Sequence, residues 1–188
     1  MDPESYLGEV RNYRSLMRSL AQEAQVDADH IRRLAAAAER TGAKYASLMT
    51  EDWCGDSACN VPILARLFAD AGLPFRIVRG SELEELKDRY ESEGDDHIPV
   101  VSIWREDGTE LVRWIEAPEA VEERKNAWKA ERPHFEQLYE RREAGDREAA
   151  KEFGTLYRQF LEEMAGWYRS GLWSETTREV VEALERAE

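Results

Sequence analysis

Residues 44–72 limit what this chain can fold into more than any other stretch. Residues 45–49 form a short apolar run that ends in the polar Thr50, Glu51 and Asp52, a pattern that predicts a buried strand opening into a loop. Residues 60–72 (NVPILARLFADAG) carry apolar positions at helical spacing around an internal Pro62. Proline lacks an amide donor and crowds the turn before it, so this helix is expected to bend. Cys54 lies between the two patterns, in Trp53-Cys54-Gly55-Asp56, where a strand gives way to the first turn of a helix. At such a place backbone N–H groups and the positive end of the helix dipole face the sulfur and favour thiolate over thiol. Glu51, Asp52 and Asp56 oppose that charge from nearby. Solvent screening weakens the carboxylates, so the expectation is a sulfur presented to water with a modestly lowered pKa.

Alternating elements surround this junction. Residues 5–24 and 27–40 show helical spacing, with Asp27 as the cap and Gly42 as the stop of the second stretch. Residues 73–78 predict a second strand, and Ser81 with Glu84 form an S-x-x-E capping box for a helix reaching about Glu93. Strand, helix, strand, helix in this order predicts a right-handed βαβ unit. Residues 97–104 and 109–115 predict a hairpin, with Asp107-Gly108 supplying positive backbone angles to the turn. From Pro118 onward the patterns are all helical, at residues 119–132, 134–142, 146–169 and after Ser174. Aromatic residues recur there at intervals of three to four, from Trp128 to Trp173, and predict an apolar face packed on the sheet. The fold class is therefore α/β, with a central mixed sheet of four to five strands. A single domain is expected, comprising a helical N-terminal extension (1–43), a core (44–117) and a helical C-terminal extension (118–188).

The order and spacing within residues 44–117 resemble the thioredoxin fold. Trp53-Cys54-Gly55 follows a strand, Pro62 stands inside the helix, and Ile98-Pro99 precedes the hairpin where that family has its cis-proline. With TEDWCGDSACNVP at residues 50–62 and WYRSG at 167–171, the chain is similar to a bacterial thioredoxin-like family with the signature T-E-x-W-C-G-D-x-A-x-N-x-P. The resemblance implies a thioredoxin-like fold and thiol-disulfide chemistry. It makes Cys54 the nucleophile, Ser57 and Cys59 its catalytic neighbours, and Trp53, Gly55, Asp56, Ile98 and Pro99 the substrate-binding residues. A cis bond at Pro99 would leave the Ile98 backbone beside the thiol, open to an extended peptide or a tripeptide thiol, with Trp53 as an apolar shelf. The plainer alternatives are a structural bend at Pro99 and a core position for Trp53.

The sequence also departs from that family. Ser57 occupies the place of the second, resolving cysteine, which reduces the pair to C-x-x-S. Leu48 stands where thioredoxins bury an acid, six residues before the first cysteine. A hydroxyl can hydrogen-bond a thiolate, but it cannot resolve a mixed disulfide. On one regular helix the Cα of Cys59 would lie about 8–9 Å from that of Cys54, beyond the roughly 7 Å that a disulfide tolerates. Cys59 therefore reads as a small core residue. Two functions compete: a single-thiol oxidoreductase whose cycle an external thiol completes, and a groove that binds peptide or protein without turnover. Trp53-Cys54-Gly55 and Ile98-Pro99 favour the first, while Ser57 and Leu48 favour the second.

Charge removes other classes. A formal charge of -14 at pH 7 repels phosphate backbones and anionic lipid, so neither nucleic acid nor a membrane surface is an expected partner. His30, His97 and His134 are scattered without metal-ligand spacing, and no phosphate-binding glycine loop or G-x-S-x-G elbow occurs. No metal and no cofactor are expected. Residues 1–6 (MDPESY) lack the basic and apolar parts of a secretory signal, and the two cysteines make no disulfide framework. The expected setting is a reduced cytoplasm and the expected partner a protein disulfide or a low-molecular-weight thiol. The oligomeric state leaves no mark in the sequence.

Overall fold

The structure, a computed structural model, describes residues 1–187. The helices are α1 (Pro3–Glu9), α2 (Arg14–Glu23), α3 (Ala28–Thr41), α4 (Gly55–Asp70), α5 (Glu84–Ser92), α6 (Glu119–Ala130), α7 (His134–Glu143), α8 (Arg147–Trp167) and α9 (Trp173–Arg186). The strands β1 (Ala43–Thr50), β2 (Phe75–Arg79), β3 (Val100–Arg105) and β4 (Glu110–Ile115) form one four-stranded mixed sheet in the order β2-β1-β3-β4. β1 runs parallel to β2 and antiparallel to β3, and β3 runs antiparallel to β4.

Strand register explains why helices flank both faces of this sheet. Leu48 aligns with Ile77 and Val101, and Val101 with Trp114; one residue further, Met49 aligns with Val78 and Val100, and Val100 with Ile115. Successive side chains in a strand point to opposite faces, so two apolar rows line two sides and each needs a cover. On one side the Trp114 indole donates to Glu179 of α9 at 2.9 Å. On the other, Met49 and Val100 pack with Tyr90 of α5.

Local chemistry sets the helix ends. The Asp2 carboxylate accepts from the Ser5 amide at 2.9 Å and Pro3 occupies the first turn of α1. Asp27 caps α3 through the Asp29 amide, and Gly42 ends it with φ at +75°. α4 continues through Pro62, which has no amide to offer to Ala58. Beside that gap α9 supplies a clamp: the Trp173 indole donates to the Cys59 carbonyl at 3.1 Å, and the Thr176 hydroxyl to Asn60 Oδ1 at 2.8 Å. Asn60 Nδ2 in turn reaches the carbonyls of Asp56 at 3.1 Å and Glu116 at 3.4 Å.

Three expectations change. Residues 5–24 form two helices, because the Arg11 amide is committed to the Asp52 carboxylate at 3.2 Å and cannot extend α1, and the chain re-enters helix only after Tyr13 at φ +56°. Ser81 caps nothing: its amide and hydroxyl both bind the Glu51 carboxylate, residues 80–82 form a 3-10 turn, and α5 starts after Leu83 without a side-chain cap. In the hairpin only Gly108 has a positive φ, +85°. Arg105 closes the loop at both ends, its carbonyl accepting from the Gly108 amide and its own amide donating to the Thr109 carbonyl, which makes a longer loop than a two-residue turn.

The chain divides into two compact units. Residues 1–117 and the segment from Trp173 onward hold the sheet, α1–α5 and α9. Pro118–Leu172 holds α6–α8 and a closing π-helical turn. Within this second unit the aromatic rings pair with one another, Trp128 with Phe160 at 4.7 Å and Phe135 with Phe153 at 5.1 Å between centroids. Among the described residues no helix is long and apolar enough to cross a membrane.

Asn60→Ala removes the joint between α4, α9 and the end of β4 and leaves buried polar groups unpaired. The expected loss is about 2 kcal/mol, read as a lower urea midpoint at unchanged slope.

Candidate functional site

Polar contacts on every side hold the loop that leads into α4. The Glu51 carboxylate accepts from the Ser81 amide at 2.6 Å and from its hydroxyl at 3.2 Å. Asp52 accepts from Arg79 Nε at 2.8 Å and from the Arg11 amide. The Cys54 amide closes a turn onto the Glu51 carbonyl at 3.1 Å. With its neighbours so fixed, Trp53 is turned outward and is 60% exposed, which excludes a core position for it. A polar hollow of about 550 Å³ lies beside this loop, among Glu9, Arg11, Glu51, Asp52 and Arg79, but Trp53, Cys54 and Ile98 take no part in its walls.

Cys54 is the N-cap residue of α4, and its sulfur accepts from the Ser57 amide at 3.4 Å. The Ile98–Pro99 peptide bond is cis. The Ile98 carbonyl lies 3.3 Å from the Cys54 sulfur and accepts its S–H. The Glu116 amide is bonded to the Pro99 carbonyl on the far side of the segment. The fold thus brings together Trp53, Cys54, Gly55, Asp56, Ser57, Ile98 and Pro99 at one end of the sheet. Ser57 and Thr50 are fully buried and their hydroxyls bond to each other.

The sulfur itself departs from expectation. Cys54 is 5% exposed, and burial pushes its thiol up from the usual 9.0 to about 11. Asp56 raises it further, while the Ser57 hydroxyl and the amides of Ser57 and Asp56 pull the other way. The helix N-terminus acts as anticipated, but removing the sulfur from water outweighs it. Cys59 is wholly buried in α4, and no disulfide joins it to Cys54. Among the described residues no group of three or more His, Cys, Asp or Glu is placed to hold a metal ion.

Sequence patterns missed one neighbour of the site. Tyr6, on α1, is fully buried with the Arg79 guanidinium 5.4 Å above its ring. Its hydroxyl lies in the field of Asp52, Arg79 and Cys54 and beside Thr50. Nothing in the spacing of MDPESY marks that role; the sole local signal is the Asp2-Pro3 helix start that carries the ring there.

A family model described as thioredoxin matches residues 1–129. No curated protein matches the chain. Among solved structures the chain is similar to a crystal structure of a protein of unknown function from Pseudomonas aeruginosa, at 16% identity and a TM-score of 0.60, covering 98% of this chain and 92% of that one. It is also similar to an HIV epitope-scaffold, at 20% identity and a TM-score of 0.50, over 64% of this chain and 74% of that one. With the mixed sheet and its flanking helices, these matches establish the thioredoxin-like fold, extended by helices before and after the core.

A thiol that holds its proton more tightly when folded makes stability fall with rising pH. Below about pH 9 the contribution is complete; between 9 and about 11 the unfolded chain ionises while the folded one does not. The wild type should therefore lose about 2–3 kcal/mol more than Cys54→Ser from pH 8 to 11 in denaturant titrations. Parallel pH dependences would show that the folded thiol is not held protonated.

Proposed function

Because the chain belongs to this thioredoxin family, we propose that it carries out thiol-disulfide exchange of the single-thiol kind, with Cys54 as nucleophile. One observation carries the reading: the Cys54 sulfur sits 3.3 Å from the Ile98 carbonyl at the cis-proline, beside an exposed Trp53. An extended substrate that pairs with the Ile98 main chain displaces the S–H contact there and lays its disulfide against the sulfur. The proton leaves to solvent and the thiolate attacks one substrate sulfur. The Cys54–sulfur bond forms as the substrate S–S bond breaks, and the departing sulfur takes a proton from water. Ser57 cannot resolve the resulting mixed disulfide, and Cys59 is sealed in the helix core. A low-molecular-weight thiolate from solution therefore attacks the bound sulfur, pairs with it and releases Cys54.

The raised pKa slows this chemistry without stopping it. A thiol at about 11 is ionised about a hundredfold less at neutral pH than one at 9. The greater nucleophilicity of the more basic thiolate returns about tenfold of that. The remaining deficit of about tenfold is small beside the effective concentration that a docked substrate provides, on the order of 10⁵ M in well-oriented cases. Binding in the groove, not an acidic thiol, carries the rate.

The second reading, a peptide or protein groove without turnover, draws on the 5% exposure of Cys54 and on Leu48 in place of an acid. In the first reading the partner is a protein disulfide or a small thiol, in the second a peptide or protein segment, and both belong in a reduced, cytoplasmic setting. The charge of -14 disfavours nucleic acid and anionic lipid.

A glutathione-coupled disulfide reductase assay separates the two. Cys54→Ser should lower the rate by at least about a hundredfold, while Cys59→Ser stays within about twofold of wild type. Activity that survives Cys54→Ser overturns the exchange reading. Absence of turnover in the wild type, with peptide binding that persists in Cys54→Ser, establishes the second.

A further inference from the structure

Asn60 belongs to the TEDWCGDSACNVP run, yet the exchange chemistry gives it no part. It is fully buried in the second turn of α4, and Thr176 of α9 is fully buried against it. The Thr176 hydroxyl donates to Asn60 Oδ1 at 2.8 Å. Nδ2 donates to two main-chain carbonyls, those of Asp56 at 3.1 Å and Glu116 at 3.4 Å; a carbonyl can only accept, which fixes the orientation of the amide. The first carbonyl lies in the opening turn of α4, close in sequence to Cys54. The second belongs to the residue whose own amide donates to the Pro99 carbonyl at 2.8 Å. Glu116 stands at φ +62°, a left-handed conformation that a residue other than glycine holds only when its surroundings impose it. They do so here, because its N–H is tied to the cis-proline segment and its C=O to α4. One side-chain amide therefore joins the two elements that meet at the site, and α9 holds that amide in place.

Resting on the reading of Cys54 as nucleophile, we propose that Asn60 is a positioning residue for substrate docking: oriented by Thr176, it sets the Ile98 main chain at the distance from the Cys54 sulfur at which a bound disulfide is attacked. It acts through Asp56 on one side and through Glu116 and Pro99 on the other. A docked substrate depends on that separation, because displacing bound groups by about 1 Å can cost about a hundredfold in rate. A small reagent that meets the sulfur by collision does not pair with Ile98 and is indifferent to it. Loosening the amide therefore slows exchange with a docked peptide without slowing attack on a small alkylator. A loss of stability alone does not separate the two reactions.

The test compares two reagents on the full chain, with adducts mapped to Cys54 by mass spectrometry: iodoacetamide, and an extended peptide whose cysteine is disulfide-bonded to thionitrobenzoate. In the second reaction the Cys54 proton goes to solvent, the thiolate bonds to the peptide sulfur, the reagent's S–S bond breaks and thionitrobenzoate leaves as the coloured thiolate. Thr176→Val keeps the outline of the side chain and removes the hydroxyl that orients the amide, while Asn60→Ala removes the amide itself. Each should lower the rate with sub-saturating peptide by about tenfold, with alkylation at the same pH not slowed. Thr176→Ser, which restores the hydroxyl, should restore the peptide rate. If Asn60→Ala does not fold, the two Thr176 variants decide the matter. A peptide rate that Thr176→Val leaves unchanged, that falls in step with alkylation, or that Thr176→Ser does not restore overturns the role of Asn60 while leaving Cys54 as nucleophile. A native wild-type chain that forms no disulfide with the peptide overturns the exchange reading and the Asn60 proposal together.

Discussion

The site depends on the contact between the Cys54 sulfur and the Ile98 carbonyl, 44 residues apart in sequence and 3.3 Å apart in space. Each partner is presented by a different device. Cys54 sits where a parallel strand hands over to a helix, and Ile98 is held by a cis bond just before β3. The sheet order places β1 between β2 and β3, so the end of β1 and the start of β3 are neighbours and the two devices meet. What lies around them serves mainly to hold the meeting point: Glu51 on Ser81, Asp52 on Arg79, and α9 clamped to the first turns of α4.

Two effects compete at the sulfur, and their balance shapes the chemistry. Helix-start amides and the Ser57 hydroxyl favour the thiolate, while burial and Asp56 favour the thiol. At an exposed position the first group would win, since carboxylates are screened by water. At 5% exposure the loss of hydration dominates, and the thiol stays protonated near neutrality. A thiol held in this way offers little thiolate at neutral pH.

The local parts of this site are legible in the sequence. A strand pattern followed by Cys54 and a helix pattern around Pro62 fixes the N-cap placement, and Ile98-Pro99 before a hairpin marks the cis segment. Cys59 reads as a core residue because it is too far along the helix to pair with Cys54, and it is buried with its neighbours 57–64. Long-range partners leave no such trace. Ser81 matches a capping box by spacing, yet Glu51, thirty positions away, is the better acceptor for its amide. Residues 5–24 look like one helix, but Asp52 captures the Arg11 amide and breaks it. The Cys54 sulfur is covered by the Ile98 segment, and Tyr6 reaches Thr50 because α1 packs on β2; periodicity within any one segment is blind to both.

The most direct test of the account is mass spectrometry of mixed disulfides trapped on the native protein with a disulfide-bearing peptide. A single adduct is expected, mapped to Cys54 and unchanged when Cys59 is replaced by serine. An adduct confined to Cys59 would contradict it, because the sulfur that reacts would then be the one sealed within α4, away from the cis-proline.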